Sequence, residues 1–325
     1  MDPLQNITSV GLIGLGAMGL PMAINLAQKL PAHITLQVYD VFPAAANALC
    51  TKYPGKVHQA ANPADLASKS SIILTMLPGG SDVHSVFVSG PNAISSVDLA
   101  DKLLLDCSTI DTTNTLAVKA HISTHSPSAS FYDAPVSGGS IGAERATLTF
   151  YLGCHASDPN LPLITAILRY VGNEKAFIPC GGPSMGCVAK TSNNYISGLL
   201  GIIVSEAMDM GIRGGIDPRL LAEVIKSGGG QNTVAERWNP VPGVVPTAPS
   251  SHGYKPGFKV GLMRKDIGLA VELARKGGCR NLFGQQAHDV FAKMEGMDEF
   301  RELDSKAVYR YLGGIEDWQK MFPDA

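Results

Sequence analysis

Long runs of any one kind are what this sequence lacks. No five like charges stand in a row, and 26 basic against 28 acidic side chains leave a formal net charge of -2. That excludes a nucleic-acid footprint and a polybasic patch for a membrane surface. The one long apolar stretch, 195–210, is broken by Ser205, Glu206 and Asp209, which predicts a buried helix and no membrane span. Cys50, Cys107, Cys154, Cys180, Cys187 and Cys279 form no Cys-x-x-Cys pair and no closely spaced His/Cys cluster. They read as reduced thiols of an intracellular protein, with no metal site. P-loop and Ser-His-Asp patterns are missing too, and His84, His121, His125 and His155 are scattered as surface or packing residues are. A metal-free mechanism is expected.

What remains is a globular chain of 325 residues, 45% apolar and 17% charged, enough for about two domains. Residues 1–9 are too short and polar for a secretory signal and lack the arginine-rich amphipathic character of a mitochondrial presequence. A cytoplasmic location is the expectation if the sequence is complete.

From Val10 to about Pro179, short β-branched or apolar runs alternate with helix-length segments, the pattern of a parallel sheet covered by helices. The strand candidates are 10–14, 34–40, 71–77, 102–108, 130–134, 148–153 and 175–179. Together they predict a doubly wound, Rossmann-type dinucleotide-binding domain over 1–183. Beyond Gly181-Gly182-Pro183 the strand-like runs stop, and residues 184–325 read as an all-helical domain entered by one long helix, Met185 to Arg213. Further helices are expected over 218–227, 262–276, 285–295 and 305–312. Residues 239–257 hold five prolines and three glycines without periodicity, and read as a long ordered loop.

The first strand runs into Gly14-Leu15-Gly16-Ala17-Met18-Gly19, and a helix follows. Gly14 permits the tight turn, Gly16 lets a pyrophosphate approach the backbone, and Gly19 allows close helix–sheet packing. The diphosphate would rest on the helix N-terminus, over Ala17 and Met18, where free N–H groups and the dipole favour an anion. Asp40 ends the second strand, 21 residues beyond Gly19, where a carboxylate accepts the ribose hydroxyls. No arginine follows in Val41-Phe42-Pro43, so NAD is favoured over NADP.

Asp133-Ala134-Pro135-Val136-Ser137-Gly138-Gly139 takes a strand into a glycine turn whose bare N–H groups and serine hydroxyl suit a carboxylate. On the long helix, Lys190 and Asn194 stand four apart and share a face, with Asn193 beside them.

The blocks GLGAMGLPMAINL, YDVFP, TMLP, DCSTID, DAPVSGG, LTF, AKTSNN, NPVPGV and LMRKDIGLA run nearly end to end. The sequence resembles in them the β-hydroxyacid dehydrogenases, and most closely their 3-hydroxyisobutyrate dehydrogenase branch. The resemblance implies oxidation of 3-hydroxyisobutyrate to methylmalonate semialdehyde in valine breakdown, in mitochondria, by a homodimer or homotetramer built on the helical domain. It implies Lys190 as general acid/base, Asn194 to orient the substrate, and Ser137, Gly138 and Gly139 to hold the carboxylate. Leu77, Pro78, Thr109, Phe258 and Lys265 would border the cofactor. Oxidising an alcohol moves a hydride to nicotinamide while a proton leaves the hydroxyl, so a base within reach is required. Burial, the positive nicotinamide and a second lysine, Lys265, would each disfavour the charged form of Lys190. The branch often has an asparagine where this chain has Asp82. Two alternatives compete: a related reductase of tartronate, succinic or glyoxylate semialdehyde type, and a non-catalytic NAD-binding module, which typically lacks the lysine.

Overall fold

A computed structural model describes residues 3–323, which form two compact units that part at Lys190/Thr191.

In the first unit, strands β1 (Ser9–Ile13), β2 (Thr35–Tyr39), β3 (Val57–Gln59), β4 (Ile72–Thr75), β5 (Leu103–Asp106) and β6 (Ser130–Asp133) make one sheet. All pairs are parallel and the order is β3-β2-β1-β4-β5-β6. The order reverses between β1 and β4, and at such a switch point the carboxyl ends of the strands open a crevice for a dinucleotide. Helices α1 (Gly19–Lys29), α2 (Pro43–Lys52), α3 (Pro63–Lys69), α4 (Gly80–His84) and α5 (Thr112–His125) supply the crossovers. Because both faces are covered, the central strands are unbroken apolar runs. Leu12, Val38, Leu74 and Leu105 enter one core, while Ile13, Ile73, Leu104 and Phe131 enter the other.

The runs expected at 148–153 and 175–179 are strands but do not extend this sheet. They are β8 (Leu148–Leu152) and β9 (Gly172–Pro179), which join the two-residue β7 (Val136–Ser137) in a separate three-stranded sheet. The link from β7 to β8 contains only the six-residue α6 (Gly139–Glu144), and the pair is antiparallel. A parallel crossover needs a dozen or more residues; α7 (Leu161–Leu168) lies in the longer connection that takes β8 to the parallel β9.

Helix α8 (Met185–Arg213) runs unbroken through the point where the units divide. The second unit continues with α9 (Pro218–Ser227), α10 (Thr233–Arg237), α11 (Val260–Lys276) and α12 (Gly284–Glu295), followed by short turns of helix. Asp217 caps α9 by accepting the Arg219 N–H, and Pro218 takes the first helical position, where no donor is lost. Helices α11 and α12 lie antiparallel and close: Gly261 faces Glu295 and Gly268 faces His288. The proline-rich segment is ordered by its own hydrogen bonds. Asn239 accepts from the Val241 N–H (3.0 Å), Ser250 donates to the Asn239 carbonyl (2.6 Å) and Tyr254 to that of Pro240 (2.9 Å).

The expectation that α8 is buried holds on one face only. Val204, Met208 and Ile212 enter a core with Val234 and Trp318. Ile196, Ile203 and Met210, seven residues apart, are 58%, 53% and 72% exposed. By length and composition alone α8 is long and apolar enough to cross a membrane.

Candidate active site

Each glycine of the first turn has a distinct physical role. Gly14 has φ +93°, and a side chain there would run into the Met76 carbonyl; one on Gly19 would collide with the carbonyl of Gly14. A Cβ on Gly16 would meet nothing within 4 Å. Gly14 and Gly19 are therefore fixed by the fold, whereas the space beside Gly16 is open, as an approaching phosphate would require. No side chain caps α1 and no acid stands in its first turn, so the N-terminal N–H groups and dipole remain available to an anion. These features fit a dinucleotide.

Asp40 lies just past β2 and joins that strand end to the glycine turn. Its Oδ2 accepts the Leu15 N–H at 2.6 Å and its Oδ1 the Phe42 N–H at 2.8 Å. Beside it opens a cleft of about 570 Å³ lined by Tyr39, Asp40, Val41, Ala60, Asp65 and Lys69 among others. The Lys69 ammonium pairs with Asp65 at 2.7 Å, and that contact holds the Asp65 carboxyl below its ordinary range.

The next strand ends carry a polar seam. The Leu77 N–H donates to Ser108 Oγ (2.9 Å), and Ser108 and Thr75 hydroxyls both donate to Asp106 Oδ1 (2.6 and 2.7 Å). Asp106 is fully buried, and burial pushes its carboxyl pKa up against those hydrogen bonds. Leu77 and Pro78 follow β4, and Thr109 follows β5, on the edge where the glycine turn also lies.

Asp133 ends β6 in register with Asp106. Its Oδ1 accepts the Ser184 N–H (2.8 Å) and its Oδ2 the Cys187 N–H (2.9 Å), so a strand carboxylate caps the first turn of α8. The chain then passes through Ala134 and Pro135 into β7 and the turn. Gly138 (φ +134°) and Gly139 (φ +62°) adopt backbones that L side chains rarely reach, and both are exposed, with Ser137 half-buried beside them. Lys190, further along α8, is 7% exposed.

In the second unit, Asn194 Nδ2 donates to Asp266 Oδ2 at 2.5 Å. That bond turns the amide nitrogen toward Asp266 and sets which way the oxygen faces. Lys265 Nζ lies 3.4 Å from Asp266 Oδ1. The Phe258 N–H donates to Asp304 Oδ2 at 2.6 Å, which pins the end of the proline-rich loop. Sequence reasoning did not assign Asp266 or Asp133. The signal for Asp266 was an acid on the apolar side of α11; that for Asp133 was an acid at the end of a buried strand.

The first unit thus gathers Gly14, Gly16, Ala17, Met18, Gly19, Asp40, Leu77, Pro78, Thr109, Ser137, Gly138, Gly139 and Lys190. The second holds Asn194, Phe258 and Lys265. Among the described residues no group of three or more His, Cys, Asp or Glu is placed to hold a metal.

Comparison with known proteins finds two family models. The NAD binding domain of 6-phosphogluconate dehydrogenase matches residues 9–182, and the NAD-binding domain of NADP-dependent 3-hydroxyisobutyrate dehydrogenase matches 184–312. A probable mitochondrial 3-hydroxyisobutyrate dehydrogenase of Dictyostelium discoideum is 39% identical over 308 residues, covering 94% of this chain and 90% of the relative. A 3-hydroxyisobutyrate dehydrogenase of Pseudomonas aeruginosa is 35% identical, over 95% of this chain and 99% of its own. Among solved structures, 3-hydroxyisobutyrate dehydrogenase of Mycobacterium tuberculosis with L-serine superposes with a TM-score of 0.80 at 32% identity, covering 94% and 99% of the two chains.

Proposed function

The chain belongs to the 3-hydroxyisobutyrate dehydrogenase family, and from that premise we propose that it oxidises 3-hydroxyisobutyrate to methylmalonate semialdehyde with NAD, a step of valine breakdown. It is an NAD(P)-binding oxidoreductase.

The observation that carries the reading is Lys190, almost wholly buried, in the same unit as the glycine turn and the Ser137-Gly138-Gly139 turn. Taking an ammonium out of water costs free energy unless it is paired or hydrogen-bonded, so a lysine this deeply buried is uncommon. NAD, when bound, supplies the acceptor for the hydride. Gly14 to Gly19 hold its diphosphate, Asp40 its ribose, and Leu77, Pro78, Thr109, Phe258 and Lys265 border it. Ser137 Oγ–H and the N–H groups of Gly138 and Gly139 grip the substrate carboxylate. Lys190 Nζ takes the hydroxyl proton during oxidation and returns it in reduction. Asn194, its amide oriented by Asp266, aligns the hydroxyl.

NAD is favoured over NADP because Asp40 would repel a 2′-phosphate. The cation lining the same cleft, Lys69, is already engaged by Asp65. We also propose a homo-oligomer, supported by the apolar stripe Ile196, Ile203 and Met210 on α8.

Steady-state kinetics on 3-hydroxy acids and short semialdehydes, with NAD and with NADP, test the proposal. 3-Hydroxyisobutyrate with NAD should give the highest kcat/KM. Its amide should fall by about one to two orders of magnitude, since hydrogen bonds to a charged group contribute roughly 1.5 to 3 kcal/mol at ~1.4 kcal/mol per tenfold. Equal specificity for acid and amide would refute carboxylate recognition, and a preference for NADP would refute the role of Asp40.

A further inference from the structure

Asp133 is 1% exposed, yet it stands between two parts of the proposed chemistry. Its backbone leads directly through Ala134, Pro135 and Val136 to the Ser137 turn. Its carboxylate accepts both the Ser184 and the Cys187 N–H groups, and Lys190 follows Cys187 on the same helix face, about 4.5 Å further along the axis at ~1.5 Å per residue. The first intrahelical bond of α8, Val188 N–H to the Ser184 carbonyl (3.0 Å), begins only after these two donors, so they are ones the helix itself leaves unsatisfied.

The surroundings are shaped around this carboxylate. A Cβ on Gly153 would collide with Asp133 Oδ1, and its nearest neighbours are all Asp133 side-chain atoms. One on Gly186 would lie 2.8 Å from Oδ2 and would also strike the Tyr151 carbonyl. Ser184 takes a left-handed backbone (φ +66°), rare for a residue with a side chain, and presents its N–H to Oδ1. The strand side is equally tied: the Gly153 N–H donates to the Asp133 carbonyl (2.8 Å) and the Tyr151 N–H to that of Pro135 (3.0 Å).

We propose that Asp133 is a positioning residue: by capping α8 from the strand that leads into the carboxylate-binding turn, it fixes the distance between that turn and Lys190. This rests on the reading of Lys190 as general acid/base. The turn keeps its place through backbone bonds to β8, so losing the cap moves the lysine and leaves carboxylate binding alone. Misplacement of a reacting group by about 1 Å can cost ~100-fold in rate.

The test uses the full chain and four variants: Asp133→Asn, Asp133→Ala, Gly153→Ala and the double Asp133→Ala/Gly153→Ala. Gly153→Ala changes no charge and no hydrogen-bonding group; it only displaces the carboxylate, so it keeps the question open if Asp133→Asn does not accumulate as folded protein. NAD binding, titrated to its end point, counts competent sites, and kcat is expressed per site. Asp133→Asn and Gly153→Ala should each lower kcat about 10- to 100-fold, with KM for 3-hydroxyisobutyrate and the NAD dissociation constant essentially unchanged. The double variant should be no slower than Asp133→Ala, because the two changes remove one interaction. Wild-type kcat per site in either single variant, a loss expressed in KM, or additive losses in the double variant would overturn the proposal. Lys190→Ala in the same assay separates the two readings. If it retains turnover, the acid/base assignment fails; if it is inactive while Asp133→Asn is fully active, only the positioning role fails.

Discussion

A lysine near a helix start is ordinarily a solvated charge, and nothing in the spacing of residues 185–213 by itself predicts that Lys190 is 7% exposed. Its motif, with Asn194 four residues on, made it visible; Asp266 stayed hidden because its partner Asn194 is 72 residues away. The carboxylates Asp106 and Asp133 stood inside recognised blocks, and the sign of their burial was their place at the ends of apolar strands, while their hydrogen-bond partners were not legible. Asp106 supports a prediction of its own. Burial raises its folded pKa, so the native state keeps a proton that the unfolded chain has already lost. In the window from the ordinary carboxylate value, ~3.9, up to the raised folded value, stability must fall as pH rises. Asp106→Asn removes that slope. Urea unfolding of both proteins across a pH series should show wild type losing stability relative to the variant as pH rises through that window, then a constant difference. A difference that is flat throughout, or that grows in favour of wild type, would contradict a buried, proton-holding Asp106.

Elements were legible where burial is two-sided or where the chain punctuates itself. The central strands of the main sheet are apolar runs because helices cover both faces, and α8 and α9 end at glycine or begin at proline after an aspartate. Three-residue β3 and two-residue β7 are too short to show a period, and α10, five residues long, fits no amphipathic repeat. The grouping of β8 and β9 into a second sheet depended on connection length, which a list of runs does not express. The glycine turn permits a sharper statement. Gly16→Ala adds a methyl where nothing lies within 4 Å, so the melting temperature of the NAD-free protein should not change. The same methyl occupies the path of the diphosphate, so NAD should bind at least ~10-fold more weakly, about 1.4 kcal/mol. A lowered melting temperature with unaltered NAD affinity would reverse the roles assigned to Gly16 and its neighbours.

At the scale of the whole molecule, the change from alternating strands to long helices after Gly182 was plain in the sequence, because short apolar runs interleaved with helix-length segments give way to long helical patterns alone. What the sequence could not show is which face of α8 is left uncovered, since Ile196, Ile203 and Met210 are as apolar as the buried Val204 and Met208. If a second copy covers that stripe, Ile203→Glu should reduce the sedimentation mass of the protein without abolishing its fold; an unchanged mass, or a wild-type monomer, would exclude the stripe as an interface. The most direct test of the account as a whole is the rate of NADH formation from 3-hydroxyisobutyrate by wild type and by Lys190→Ala, each normalised to bound NAD. Wild type should turn over, and the variant should bind NAD as before while losing at least ~100-fold in kcat, the lower range for removal of a general acid/base. A variant that keeps more than half of the wild-type rate at saturating substrate would contradict it.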